Sequence, residues 1–201
     1  MNDVLILYPA EFQCFSKFER KVLKILSNLQ LFRISTLSDH NGFIARLCRE
    51  SLTHVSYAQH EVVPYSEVTH AIIFDDGEEF TEAQVQLKEQ GTPFRIIPIQ
   101  ITRVINIKRE QEYQGLKSTP KYEYIGRGAK WGNPHSMFEG GDDREEVIRK
   151  YEYDFQYDKF PHLKKDDVYE LAGKRLGCFC KPASCHGDVL AKYLNSWDDG
   201  K

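Results

Sequence analysis

The sequence predicts an α/β fold: a Rossmann-like parallel sheet in the N-terminal half, followed by a compact second α/β domain. Three observations carry this. The runs VLILY (4–8) and HAIIF (70–74) are almost wholly apolar, as in strands covered on both faces. Amphipathic stretches of helical period alternate with such runs, the pattern of a parallel, doubly wound sheet. The second half carries its own strand and helix patterns around two dense signatures, at 126–134 and 177–190. A chain of 201 residues accommodates one large domain or two small ones. The expected division is 1–101 and 102–201, and the linker 98–103 has no flexible Gly/Ser tract.

In order along the chain, 4–8 is a strand. Residues 18–29 form a helix with Phe18, Val22, Ile25, Leu26 and Leu29 on one face and lysines and Arg20 largely off it. A short strand is expected at 32–36, a turn at Asn41-Gly42 and a helix at 43–51. The strand 70–74 is followed by a helix at 81–90, which Gly91 stops, and a strand at 94–99. In the second half 104–108 reads as a strand and the polar stretch 109–119 as an exposed loop. Residues 142–155 open with acidic side chains, favourable at a helix N-terminus, and carry Val147, Ile148, Tyr151 and Phe155 as the buried stripe. A short helix over 168–176 leads into a strand over 174–180.

That strand begins the densest segment, GCFCKPASCHGDVL at 177–190. Leu176, Cys178 and Cys180 fall on one side by strand alternation. Lys181-Pro182-Ala183 breaks the strand, and Ser184 is a good N-cap for a helix with Cys185, His186 and Gly187 in its first turn. Three readings stay open. The segment is a ligand site, with an anion on the helix start and Asp188 or His186 as general base, or Cys180 or Cys185 as nucleophile. It is a zinc site of Cys178, Cys180 and Cys185, with or without His186, although C-x-C-x4-C-H lacks the paired knuckles of structural zinc sites and adjacent Cys-His ligands strain one tetrahedron. Or the cysteines are buried and pack as small hydrophobes. Helix start and Lys181 together favour a thiolate at Cys185. A second signature is GRGAKWGNP at 126–134. Gly126 and Gly128 let backbone N–H groups approach an anion, Arg127 offers a planar fork, and Lys130 and Lys181 add charge. Trp131 is expected to stack on a base and Asn133 to read a base edge or ribose; the alternative is a glycine-rich turn whose Trp plugs the core.

The N-terminal half resembles the SLOG superfamily, a Rossmann-like group that includes nucleotide hydrolases and nucleotide sensors. The matching pieces are VLILY, NGFIARLCRE, THAIIFDDG and EAQVQLKEQGTPFRII. The resemblance implies a helix carrying an arginine after a glycine-containing turn, which Gly42 and Arg46 fit. It also implies a Gly-Thr phosphate loop after the third strand. Gly77 and Thr81 survive there, but Phe80 stands where a glycine is expected. The second half resembles the bacterial and phage family called domain of unknown function 4326, through VIN at 104–106, GRGAKWGNP, REEVIRKY and GKRLGCFCKPASCHGDVL.

The net charge of −3 and pI near 6.2 give no global basic field, so nucleic acid is not the indicated partner. A small nucleotide-like ligand is. The five cysteines are odd in number and clustered, unlike a disulfide framework, and no apolar run approaches the roughly 18 residues of a membrane span. A cytoplasmic protein without a membrane contact is expected. The favoured function is an enzyme acting on a nucleotide, nucleoside or modified-base derivative, cleaving or exchanging an N-glycosidic bond by analogy with SLOG hydrolases. The alternative is a non-catalytic binder that senses or sequesters a nucleotide signal in phage–host conflict. No cofactor is expected beyond the zinc alternative.

Overall fold

The computed structural model describes residues 1–137 and 141–200. The chain divides into two compact units, 1–99 with 196–201, and 100–195. The sequence boundary had put the C-terminal tail with the second domain. It groups with the first because Asp198 and Asp199 pair with Arg20 and Lys17.

The first unit runs β1 (Asn2–Leu7), α1 (Phe15–Leu26), β2 (Phe32–Thr36), α2 (Phe43–Glu50), β3 (Tyr57–Gln59), β4 (His70–Asp75), α3 (Thr81–Glu89) and β5 (Phe94–Pro98). All pairings are parallel, in the order β3-β2-β1-β4-β5. Val4 lies opposite both Ile34 and His70, so β1 is flanked on both sides, which is why its run is continuously apolar. The strand order reverses between β1 and β4, the place where open α/β sheets form a ligand crevice. Helix α1 begins three residues earlier than its periodicity suggested, at Phe15, and Ser27 and Asn28 lie beyond its end. Strand β3 has no sequence signal, being three residues with an exposed Tyr57.

The second unit contains β6 (Arg103–Asn106), β7 (Ser118–Thr119), β8 (Tyr122–Tyr124), α4 (Arg144–Gln156), β9 (Arg175–Cys178) and α5 (His186–Asn195), with 3-10 turns at Gln111–Tyr113 and Lys165–Leu171. Its sheet order is β6-β9-β8-β7; β9 is central and parallel to both neighbours. Two expectations change. The stretch read as an exposed loop carries a 3-10 turn and β7, the latter paired antiparallel to β8. The short helix expected over 168–176 is the 3-10 segment, which gives way to Gly173 at φ 75° before β9 starts at Arg175. Helix α4 starts after Asp143, whose carboxylate accepts from Glu146 N at 2.8 Å as an N-cap. The core is built from Trp131, Tyr151, Leu176 and Leu190, all essentially without exposed surface. No helix of the described residues is long and apolar enough to cross a membrane.

Candidate functional site

The C-terminal end of β9, the central strand of the second sheet, delivers Cys178 to the sheet edge where parallel strands present their ligands. The chain leaves the strand there, so Cys180 lies beyond it rather than in it, and turns back through a hydrogen bond from Ala183 N to Cys180 O. Helix α5 starts at His186, one residue later than expected. Ser184 is therefore not the cap. Asp188 Oδ2 accepts from Cys185 N at 2.9 Å instead, tying the helix start from inside its first turn.

This geometry gathers three thiols. The sulfurs of Cys178, Cys180 and Cys185 all lie within 4.8 Å of one another, and Cys178 Sγ is 3.3 Å from Cys180 Sγ. The backbone N–H of Cys180 also points at Cys178 Sγ, and that of Gly187 at Cys185 Sγ. The sulfurs face a cleft of about 120 Å³ whose wall includes Gly126, Arg127, Asn133, His135, Arg144 and Ser184. The GRGAKWGNP and cysteine segments thus meet at one cavity.

The electrostatics are those of a shared proton set. Hydrogen bonding from Cys185 holds the Cys178 thiol below its ordinary range. The same bond, with burial, pushes Cys185 up, and burial foremost pushes Cys180 up. The bond to Cys178 and burial thus oppose the Cys185 thiolate that the helix start was expected to favour, and Lys181, expected to help it, pairs with Asp188 Oδ1 at 2.6 Å. His186 is buried, which holds its imidazole below the ordinary range. Its Nε2 lies 2.9 Å from Ile125 O and its Nδ1 3.6 Å from Cys185 Sγ. The neutral ring therefore donates through Nε2 to the carbonyl and turns its Nδ1 lone pair toward Cys185.

Several expected ligand contacts fall elsewhere. Trp131 is 0% exposed, and its Nε1–H donates to Glu170 at 2.8 Å; it is a core plug, not a stacking plate. Lys130 pairs with the same carboxylate oxygen at 2.8 Å. Asn133 lines the cleft, but its side chain is engaged: Nδ2 donates to Val147 O and Oδ1 accepts from His135 N. Asp188 caps α5 and pairs with Lys181, which leaves no free base at that position. Gly128 is left-handed at φ 81°, and a Cβ on Gly126 would run into the Tyr124 ring. Arg127 is exposed at the cleft and, among the described residues, has no hydrogen-bond or ion-pair partner.

Arg144 and His135 were missed. Arg144 reads in the sequence as one charge in an acidic helix start, yet it lines the cleft, donates to Ser184 O at 3.3 Å and reaches the Cys180 sulfur. Its position immediately after the capping Asp143, at the open end of a helix, is the signal that was available.

The crevice of the first unit is differently filled. Asp39 accepts from Ile44 N at 3.0 Å and Ala45 N at 2.9 Å, so the chain's own carboxylate sits on the α2 start. Tyr8 donates to the same group, and Tyr8, Phe12, Phe15, Phe18, Phe43 and Phe74 stack in one aromatic cluster. Gly42 is left-handed as a turn requires, but Arg46 lies over the Phe15 ring at 3.9 Å and pairs with Glu50. Phe80 packs against the apolar cluster that includes Leu5 and Ile73.

A five-stranded parallel sheet whose order reverses beside its first strand, joined to a second unit with a thiol-lined cleft, defines a Rossmann-like protein with an added site-bearing domain. Residues 1–105 match the model of the minimal SLOG domain, and the chain belongs to that family. That membership points to a nucleotide-related function. Residues 105–196 match a domain of unknown function, DUF4326. The chain is also 40% identical over 72 residues to an uncharacterised 12.4 kDa protein from the nrdA–td intergenic region of Enterobacteria phage T4. That match covers 35% of this chain and 65% of the phage protein. No solved structure matches.

Proposed function

We propose that the second unit binds an anionic nucleotide or nucleoside derivative in its cleft and acts on it at the sulfur cluster, cleaving or exchanging an N-glycosidic bond. The observation that carries this reading is the meeting of two guanidiniums, Arg127 and Arg144, with three sulfurs around one concave cavity. An arginine at a cleft without a partner among the described residues suits a phosphate or carboxylate, which its planar fork binds in two places. The bond-cleaving assignment is an analogy with the nucleotide hydrolases of the SLOG superfamily, a likeness carried by residues 1–105 and not by the cleft itself. In this reading Cys178, Cys180 and Cys185 supply the reactive centre, and buried His186 lies beside it with Nδ1 3.6 Å from Cys185 Sγ.

The test is incubation with a panel of nucleoside monophosphates and NAD, with chromatographic detection of released base. Base release that Arg127→Lys lowers about tenfold in kcat/KM (~1.4 kcal/mol) is the expected result, since lysine keeps the charge but loses the fork. Arg149→Lys, at an exposed residue paired with Glu146 on α4, should leave the rate unchanged. The second reading, a non-catalytic binder, is favoured by one observation: among the described residues no carboxylate lines the cleft. Recovery of an intact nucleotide from gently purified protein, with no turnover of the panel, would select it.

A further inference from the structure

We propose that Cys178, Cys180 and Cys185 bind a thiophilic divalent cation, zinc by preference, and leave one coordination position open to the arginine-lined cleft. The proposal rests on reading the sulfur cluster as the reactive centre of that cleft, and it names what the sulfurs hold. They come from three different places in the chain: the end of β9, the turn after it and the start of α5. A zinc ion with bonds of about 2.3 Å to sulfur holds its thiolates roughly 3.8 Å apart in a tetrahedron. The observed separations, 3.3 Å for Cys178 to Cys180 and at most 4.8 Å for any pair, bracket that value. Ordinary packing explains Cys14 and Cys48, which are buried in the first unit away from any such group. It gives no reason for three sulfurs to converge on the wall of a cleft that Arg127 and Arg144 also line.

The surroundings suit thiolates bound to a metal. The N–H groups of Cys180 and Gly187 donate to the sulfurs of Cys178 and Cys185. The Arg144 guanidinium reaches Cys180. Such outer contacts orient ligating sulfurs and offset their charge. Three thiolates and one zinc ion leave a net charge of about −1, next to Arg127 and Arg144. Among the described residues, three ligands rather than four come together. His186 lies outside the mutually close set, and its neighbour Cys185 already occupies one corner. An ion with three protein ligands keeps a position for water or an atom of the ligand, which is the arrangement of catalytic rather than structural zinc. The C-x-C-x4-C spacing agrees, since structural sites use paired C-x2-C knuckles.

The experiment is metal analysis of the full chain purified under reducing conditions, followed by cobalt(II) titration of the metal-free protein. One zinc per chain, and a sulfur-to-cobalt charge-transfer band saturating at one equivalent, is expected. Cys180→Ser should lose both, Cys14→Ser should keep both, and Arg127→Lys should keep the metal. Because none of these readouts uses a nucleotide, the metal site and the nucleotide reading can fail separately. Folded, fully reduced protein that takes up neither zinc nor cobalt would overturn the proposal. So would undiminished metal in Cys180→Ser, which would place it elsewhere. If Cys178→Ser or Cys185→Ser fails to fold, the cobalt titration of the unaltered chain and of Cys180→Ser still decides.

Discussion

The indole of Trp131 is enclosed on all sides, with its one polar atom on Glu170 and its backbone carbonyl accepting from Tyr151 OH at 3.0 Å. Truncation to Ala should cost about 3–5 kcal/mol, in line with large aromatic deletions in cores. Chemical denaturation of the variant checks this. A spectroscopic check needs only Trp197→Phe, which removes the other tryptophan, itself 41% exposed. The remaining emission should be blue-shifted and resist acrylamide; a red-shifted, quenchable signal would mean that the ring faces the cleft after all. Arg127, in the same glycine-rich loop, meets the opposite environment. Sequence could not separate the two roles of Trp131, because a stacking plate and a plug both want a flat ring among glycines. What decides is Glu170, which comes from the distant 3-10 segment and has no local signal. Arg127 was legible because a cation flanked by glycines has few packing uses.

At the scale of elements, α1 is held to the C-terminal tail by polar contacts. Arg20 grips Asp198 at 2.8 and 2.9 Å, Ser16 donates to the same carboxylate, and Lys17 pairs with Asp199. Hydrogen bonds from Arg20 first, then from Ser16 and the Gly200 N–H, hold the Asp198 carboxyl well below its usual range. A carboxylate depressed in the folded state adds stability above its unfolded pKa of about 3.9, and loses it as pH falls toward the folded value. Asp198→Asn should therefore lower Tm by about 2 °C at neutral pH, a small effect because the pair is solvent-exposed. The difference should shrink below about pH 4 and also at high salt. A gap between variant and parent that stays constant from pH 7 to pH 2.5 would remove the ion-pair explanation. Helix α4 shows the same logic in its sequence: Asp143 and the following glutamates announced its start within two residues, because capping is a local interaction.

At the scale of the whole molecule, the strands covered on both faces were legible since burial on two sides writes a continuous apolar run, as in β1 and β4. Strands β3 and β7 were not, since short segments at sheet edges need no apolar pattern. The same distinction governs the two crevices. The first unit has a Rossmann-like sheet order, yet its α2 start is occupied by Asp39, and aromatic rings pack beside the ends of β1 and β4. A phosphate there would meet a fixed carboxylate, and like charges at hydrogen-bond range repel. The second unit presents Arg127 with no internal partner among the described residues. A backbone-amide NMR titration with AMP, which carries a phosphate, a ribose and a base, should therefore shift resonances within 126–133, 144–148 and 178–187. Residues 39–46 and 77–81 should stay in place. Asp39→Ala should cost about 1 kcal/mol through the lost cap, and it should not abolish the shifts in the second unit. Saturable AMP shifts at 39–46 in the unaltered chain would show that the ligand displaces Asp39, and would move the nucleotide site to the first unit.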